Sequence, residues 1–203
     1  MTPVFERLTF REKCPTPMMQ MHYARYLWAL RFCTDLFVLD AGCGSGYGTE
    51  LLARVASRID GVDINPEAIS EAHENRSCNA YCAYYNEPIE TFTNSYGYDV
   101  IVAFEMLEHV VNMTTVLDVF SSLLNPGGRL LVSVPLHQGQ NIYHHGRDFG
   151  YSKWRRLIQA HFLIVSSWHQ PLETQDGSNV CIMRIAEGSS FNPQTGVAIF
   201  ECV

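Results

Sequence analysis

The chain has 203 residues, with 21 Asp and Glu against 14 Lys and Arg, which gives a formal net charge of −7. A composition of 47% hydrophobic and 17% charged residues is typical of a globular protein and excludes collagen-like, coiled-coil and disordered classes. The length suits one domain over residues 1–203, and the acidic balance disfavours a nucleic-acid partner.

The cysteines and the apolar segments indicate the cellular compartment in which the protein is expected. Seven cysteines, an odd number, are scattered without any C-x-x-C pair, unlike a disulfide framework or a zinc site. No apolar run is long enough to span a bilayer, and Glu6 and Arg7 stand where a secretory signal needs an apolar core. We therefore expect a cytoplasmic protein without membrane insertion; its oligomeric state is left open.

Hydrophobic periodicity and turn residues predict an alternation of helices and strands along the chain. The regular alternation predicts an α/β fold with a parallel sheet and right-handed crossovers. We divide the domain into a helical segment (1–35), a core (36–187) and a tail (188–203). The predicted elements are helix 18–33, strand 36–40, helix 47–57, strand 59–63, a helix from Pro66, strands 81–85 and 99–103, helix 113–124, strand 129–134, helix 152–159, and a closing pair of strands, 162–168 and 180–185.

A glycine-rich turn follows the first predicted strand, in the order Asp-Ala-Gly-Cys-Gly-Ser-Gly over residues 40–46. Ligands of open α/β sheets bind beyond the carboxyl ends of strands, and glycines there let the backbone approach them closely. The spacing differs from the dinucleotide pattern G-x-G-x-x-G, whose last position is occupied by Tyr47. Asp63 ends the second strand, where its carboxylate can accept hydrogen bonds from ribose hydroxyls. The pattern predicts a nucleoside-containing cofactor.

Four segments in succession, 38–46, 61–64, 98–102 and Asn-Pro-Gly-Gly at 125–128, resemble the motifs of class I S-adenosylmethionine-dependent methyltransferases. The resemblance implies a doubly wound, Rossmann-like sheet of seven strands, mostly parallel with an antiparallel last strand. It also implies that the glycines line the methionine end of the cofactor, that Asp63 holds the ribose and that Ile64 packs on adenine. The cofactor-binding residues expected are Asp40, Gly42, Gly44, Gly46, Asp63, Ile64, Asn86 and Phe104.

A second constellation, Glu105-x-x-Glu108-His109, follows the fourth core strand. In a helix these three side chains converge, and two carboxylates with an imidazole could hold Mg²⁺, with His144 or His145 as a further ligand. The string resembles ubiquinone-pathway O-methyltransferases and small-RNA 2'-O-methyltransferases, which use it for a metal. Metal-free relatives carry a similar stretch, in which the glutamates cap a helix or line the cofactor pocket, so both readings stay open.

The catalytic candidates are histidines, since an imidazole can take the proton of a hydroxyl acceptor. We name His109, His144 and His145 as candidates, and His137 could serve equally. Arg25 could pair with the cofactor's carboxylate or lie exposed on its helix.

Short strings at 5–8, 22–26 and 104–109, with Gln170, resemble bacterial and phage methyltransferases of glycans. We therefore expect O-methylation of a small molecule or glycan. The alternatives are a metal-dependent RNA 2'-O-methyltransferase and a non-catalytic cofactor-binding scaffold.

Overall fold

The computed structural model describes residues 17–77, 81–136, 149–171, 182–185, 193 and 196–203. Five helices and eight strands alternate through this part of the chain. The helices are α1 (Pro17–Cys33), α2 (Tyr47–Leu52), α3 (Pro66–Glu74), α4 (Met113–Leu123) and α5 (Tyr151–Gln159). The strands are β1 (Phe37–Ala41), β2 (Arg58–Asp63), β3 (Cys82–Asn86), β4 (Tyr98–Phe104), β5 (Leu124–Leu136), β6 (Ile164–Gln170), β7 (Met183–Ile185) and β8 (Gly196–Cys202).

The strands form one sheet in the order β3-β2-β1-β4-β5-β8-β6-β7. The first five pair in parallel, while β8 runs antiparallel to both β5 and β6, and β7 pairs antiparallel with β6. The predicted α/β class, a mostly parallel doubly wound sheet with antiparallel strands at its C-terminal end, is confirmed. From β1 the chain adds β2 and β3 on one side, and it then continues with β4 and β5 on the other side of β1. The strand order therefore reverses between β1 and β4, and ligands of doubly wound folds bind at such a switch point.

Two predictions about the C-terminal part were wrong. The described residues form a sheet of eight strands and not seven, because β7 adds an edge strand beyond β6. Residues 188–203 were assigned to a tail, but Gly196–Cys202 form β8, which lies between β5 and β6 and is buried along its whole length. The run Val-Ala-Ile-Phe within β8 supplies apolar side chains to both faces of the sheet.

Local sequence signals account for several element boundaries. Asn65 caps α3 by accepting from the backbone N–H groups of Glu67 (3.0 Å) and Ala68 (3.3 Å), and Pro66 occupies the first turn as predicted. Helix α2 ends at Leu52, five residues before the predicted end. The predicted turn at 125–128 lies within β5, at an irregularity of its pairing with β4.

The core is divided by the sheet into two apolar layers. Helices α4 and α5 pack on one face, with Phe120 and Trp154 fully buried. Helix α1 packs on the other, where it buries Tyr26, Trp28 and Cys33. Within the described residues, no helix has the length and apolar character needed to cross a bilayer.

Candidate active site

A cavity of about 410 Å³ opens at the carboxyl ends of β1, β2 and β4. Its walls come from α1, the glycine-rich turn after β1, the ends of β2 and β4, and the segments after β3 and β4. This volume lies in the range of small-molecule and cofactor sites. The cavity brings Gly42, Gly44, Asp63, Ile64 and Phe104, five of the eight predicted cofactor residues, into one lining.

The glycine-rich turn leaves room for a ligand at Gly44. A Cβ atom at Gly44 would meet no atom within 4 Å, and its φ of +55° favours glycine. At Gly42, by contrast, a Cβ would approach Met106 to 2.8 Å, so this glycine is needed for packing. Gly46 lies outside the lining and packs against Tyr84 and Ala72. The open side of Gly44 fits a cofactor that lies close to the backbone.

Asp63 lines the cavity and holds two backbone segments in place. Its Oδ2 accepts from the N–H of Gly44 (2.9 Å) and its Oδ1 from the N–H of Asn65 (2.8 Å). Each carboxylate oxygen has a second lone pair, so both can accept again from a ligand. The neighbouring Ile64 is 68% exposed, and a large apolar side chain at a cavity wall suits a flat aromatic ligand.

Two further predicted residues lie outside the cavity lining. Asn86 donates from Nδ2 to the carbonyl oxygen of Asp63 (3.0 Å), and the residue after it, Glu87, lines the cavity.

Asp40 is fully buried behind the glycine-rich turn, where it accepts from the hydroxyls of Tyr26 (3.0 Å) and Thr49 (2.6 Å). Burial raises the pKa of Asp40 to about 6, although both hydroxyls favour the charged form. Asp40 thereby fixes the hydroxyl of Tyr26, a residue that itself lines the cavity.

Three aromatic rings form a wall at the end of the cavity near β4. Tyr26 packs edge-on against Tyr47, with 5.6 Å between ring centroids, and against Phe104, with 5.2 Å. All three rings line the cavity. Tyr26 and Tyr47 were not predicted as site residues, and Tyr26 comes from α1, which is distant in sequence from the glycine-rich turn.

Glu105 follows β4 in an unusual backbone conformation. Its φ of +52° lies in the left-handed region, which costs a non-glycine residue about 1 to 3 kcal/mol and is concentrated at functional sites. Ser133 of β5 holds it there: the Ser133 hydroxyl donates to Oε1 (2.9 Å) and accepts from the Glu105 N–H (3.1 Å). Glu105 lines the cavity, and no described residue donates to its Oε2.

Glu108 and His109 have different surroundings. The side chain of His109 is 36% exposed and lines the cavity, while that of Glu108 is fully buried and lies outside the lining. Glu108 Oε1 is 3.9 Å from His109 Nε2, and neither carboxyl oxygen has a hydrogen-bond partner among the described residues. Burial, followed by the negative charge of Glu105, raises the pKa of Glu108 well above its ordinary range.

The predicted Mg²⁺ site is not supported by this geometry. Across the described ranges, no three His, Cys, Asp or Glu side chains are grouped so that they could hold a metal ion. The predicted ligands Glu105, Glu108 and His109 therefore do not form such a group. His144 and His145, the predicted further ligands and catalytic candidates, lie outside the described residues, as does His137.

Helix α1 is tied to the cavity by a buried polar link. Arg25 is 1% exposed, so the prediction that it could lie on the surface is wrong; its Nη1 donates to Oε1 of Gln170 (2.5 Å) at the end of β6. Gln170 in turn donates from Nε2 to the carbonyl oxygen of Met21 (3.0 Å). This link fixes the helix that carries His22 and Tyr26 to the cavity.

His22 is a site residue that the sequence analysis did not single out. It lines the cavity, and its Nδ1 is hydrogen-bonded to the hydroxyl of Tyr47 (3.2 Å). Burial, with a contribution from the positive charge of Arg25, lowers the pKa of His22 well below its ordinary value. The imidazole is therefore neutral at physiological pH.

The sheet order and the cavity beyond β1, β2 and β4 define a class I S-adenosylmethionine-dependent methyltransferase. Residues 10–179 match the methyltransferase-domain family, and the chain belongs to that family.

Curated relatives match about half of this chain. A ubiquinone biosynthesis O-methyltransferase of Xylella fastidiosa (strain 9a5c) is 37% identical over 99 residues, covering 47% of this chain and 40% of the relative. One of Vibrio cholerae (El Tor Inaba N16961) is 31% identical over 123 residues, covering 58% and 50%. The chain therefore spans about half the length of the relatives that it matches.

A solved structure, the N-methyltransferase NodS from Bradyrhizobium japonicum WM9 in complex with S-adenosyl-L-homocysteine, superposes with a TM-score of 0.68. The alignment covers 90% of this chain and 87% of NodS at 20% identity, a level at which the likeness shows the fold.

Proposed function

We propose that this methyltransferase transfers the methyl group of S-adenosylmethionine to a hydroxyl of a small molecule or glycan. The observation that carries the proposal is that the His109 imidazole and the cofactor-binding turn line one cavity. The similarity to ubiquinone biosynthesis O-methyltransferases supports a hydroxyl acceptor. None of the described lining residues is Lys or Arg, which argues against an RNA acceptor, because RNA binding depends on cations that contact phosphates.

The cofactor fits the residues at the β1 and β2 side of the cavity. Asp63 would accept from the ribose hydroxyls, Ile64 would pack on the adenine, and the open backbone at Gly44 would face the methionine part. Of Asn86, one of the expected cofactor residues, and the next residue Glu87, we propose Glu87 for the edge of the adenine, because Glu87 lines the cavity and Asn86 does not. When bound, the cofactor supplies a methyl group activated by its sulfonium.

His109 would act as the general base for the acceptor hydroxyl. Methyl transfer from a sulfonium is an in-line displacement, so the protein's main tasks are to position the acceptor and to take its proton. The partly exposed imidazole of His109 has access both to the cavity and to solvent, to which the proton can be released.

The experiment combines calorimetric binding with a methylation assay on the purified chain. We expect saturable binding of S-adenosylmethionine and S-adenosylhomocysteine, and methylated products from a panel of catechols and sugars detected by mass spectrometry. His109→Gln should lower kcat by roughly 100-fold while S-adenosylhomocysteine still binds. The matched control is His161→Gln, since His161 pairs with Asp118 (3.0 Å) outside the cavity lining and should retain the wild-type kcat.

Three outcomes would contradict parts of this proposal. Cofactor binding without methylation of any acceptor would favour the non-catalytic scaffold. An unchanged kcat in His109→Gln would remove the role of that imidazole. A rate that EDTA abolishes and Mg²⁺ restores would support the metal reading, which the positions of Glu105 and Glu108 do not favour.

We also propose that the protein works in a reducing compartment, namely the cytoplasm. Cys33, Cys43, Cys82 and Cys202 are buried free thiols in the described structure. Fractionation of the native host cells with detection of the protein tests this location.

A further inference from the structure

The charged groups that face the cavity are acidic. Among the described lining residues, the carboxylates are Asp63, Glu87, Glu90 and Glu105, with no Lys or Arg to balance them. Arg25 is close to this region but is buried, bonded to Gln170 and absent from the lining. The cavity therefore carries an excess of negative charge that a bound molecule can neutralise.

These carboxylates fall into two groups at opposite ends of the cavity. Asp63 follows β2, and Glu87 and Glu90 follow β3, whereas Glu105 follows β4. Strand β4 is three positions from β3 in the sheet, which corresponds to roughly 14 Å at the usual spacing between strands. Glu105 thus lies away from the proposed adenine end and on the same segment as His109, the proposed base.

The Glu105 carboxylate is held by Ser133 at one oxygen and can accept further hydrogen bonds, most readily at the other. Ser133 occupies Oε1, and Oε2 has no donor among the described residues. Behind it, the fully buried Glu108 carboxyl also has no hydrogen-bond partner within the described structure. The charge of the buried Arg25 acts on Glu108, but neither glutamate forms an ion pair with a Lys or Arg within the described residues, so the Glu105 carboxylate has no direct cationic partner there.

The neighbouring wall suits an organic cation. The Tyr26 ring stands at steep angles to the rings of Tyr47 (77°) and Phe104 (69°), and all three residues line the same cavity. Aromatic faces attract ammonium groups through the ring quadrupole, and several rings together with a carboxylate form a common type of ammonium site. A carboxylate-bearing acceptor would instead meet Glu105 with a like charge.

We propose that the acceptor carries an ammonium group, which Glu105 binds through Oε2 while the acceptor hydroxyl lies at His109. This inference rests on the proposed hydroxyl methylation. In the transfer, the bond between sulfur and the methyl carbon breaks with its electron pair going to sulfur, the oxygen–carbon bond forms, and the hydroxyl proton goes to His109. The ammonium group is bound throughout and does not react. Glu105 is thereby a specificity-determining residue.

The test uses three catechols that share the reacting hydroxyls and differ in the charge of the side chain: dopamine (cationic), 4-methylcatechol (neutral) and 3,4-dihydroxyphenylacetate (anionic). Their binding to the chain loaded with S-adenosylhomocysteine is measured by calorimetry, and kcat/KM is measured with S-adenosylmethionine. We expect dopamine to be preferred over 4-methylcatechol by roughly tenfold in both measurements, and the anionic catechol to be the poorest.

Glu105→Gln should abolish the preference for dopamine over 4-methylcatechol, because the amide has the shape of the carboxylate but lacks its charge. The matched control is Glu90→Gln, which removes one carboxylate from the other end of the same cavity and should leave this preference at its wild-type value.

Several results would overturn the proposal. Equal binding of the three catechols, or no binding of any, would refute ammonium recognition even if another hydroxyl is methylated. A Glu105→Gln variant that keeps the preference would remove Glu105 from this role. Weaker cofactor binding in that variant with an unchanged preference would assign Glu105 to the amino group of the cofactor. Preferential binding of dopamine with methylation on nitrogen, or with no transfer, would instead refute the proposed hydroxyl methylation and leave the ammonium contact supported.

Discussion

Replacing Gln170 with leucine tests whether the buried link to α1 holds the cavity together. The variant keeps a side chain of similar size and removes the acceptor for Arg25 and the donor to the Met21 carbonyl. A hydrogen bond to a charged group contributes about 1.5 to 3 kcal/mol and a neutral one about 0.5 to 1.5 kcal/mol. The buried Arg25, whose Nε already has no partner among the described residues, would then lose another. We expect the free energy of unfolding to fall by about 2 to 4 kcal/mol.

Chemical denaturation followed by circular dichroism measures this change, and calorimetry with S-adenosylhomocysteine measures its effect on the cavity. Cofactor binding should weaken as well, because α1 carries Tyr26 into the cavity wall. Gln170→Glu keeps an acceptor for Arg25 and should lose less stability than the leucine variant. The matched control, Gln159→Leu at the exposed end of α5, should change stability by less than about 0.5 kcal/mol. A loss below about 1 kcal/mol in Gln170→Leu would refute this account of α1.

Three further predictions concern the proposed cofactor side of the cavity. Asp63→Ala should weaken S-adenosylhomocysteine binding by about 1 to 3 kcal/mol in calorimetry, and unchanged affinity would exclude the ribose contact. Ile64→Ser should weaken binding several-fold with little change in the denaturation midpoint, because the side chain is 68% exposed; a large stability loss would contradict this. Since the pKa of Asp40 is raised to about 6, the folded state retains a proton that the unfolded state releases near pH 4. The free energy of unfolding should therefore fall as pH rises from 4 to 6, and this fall should be smaller in Asp40→Asn. If the wild-type protein and the variant show parallel pH profiles, the raised pKa of Asp40 is refuted.

Local sequence patterns were sufficient to predict that part of the glycine-rich turn and Asp63 line one cavity. The glycine-rich turn and Asp63 are close in sequence to the strands that carry them, and strand-to-helix turns have the same geometry across open α/β sheets. The same local rules account for the start of α3, where Pro66 follows the capping residue Asn65. These features follow from residues within a few positions of one another.

Other parts of the site depend on contacts between distant segments. The bond between Arg25 and Gln170 joins residues 145 positions apart, and no local pattern indicates that a helical arginine is buried there. Asp40 belongs to the predicted motif, but one of its two hydroxyl partners, Tyr26, comes from the distant helix α1. Glu105 has a left-handed backbone conformation, and its side chain and that of Glu108 lie in different surroundings. The sequence prediction assumed a helix, in which the two side chains would converge.

The central position of β8 has a consequence for how the protein is made. The start of β8 at Gly196 lies 60 positions after the end of β5 at Leu136. At usual rates of synthesis, the unpaired edge of β5 is exposed for about 3 to 12 s before its partner emerges from the ribosome. An unpaired, apolar strand edge is a template for aggregation, so we expect newly made chains to depend on chaperones during this interval.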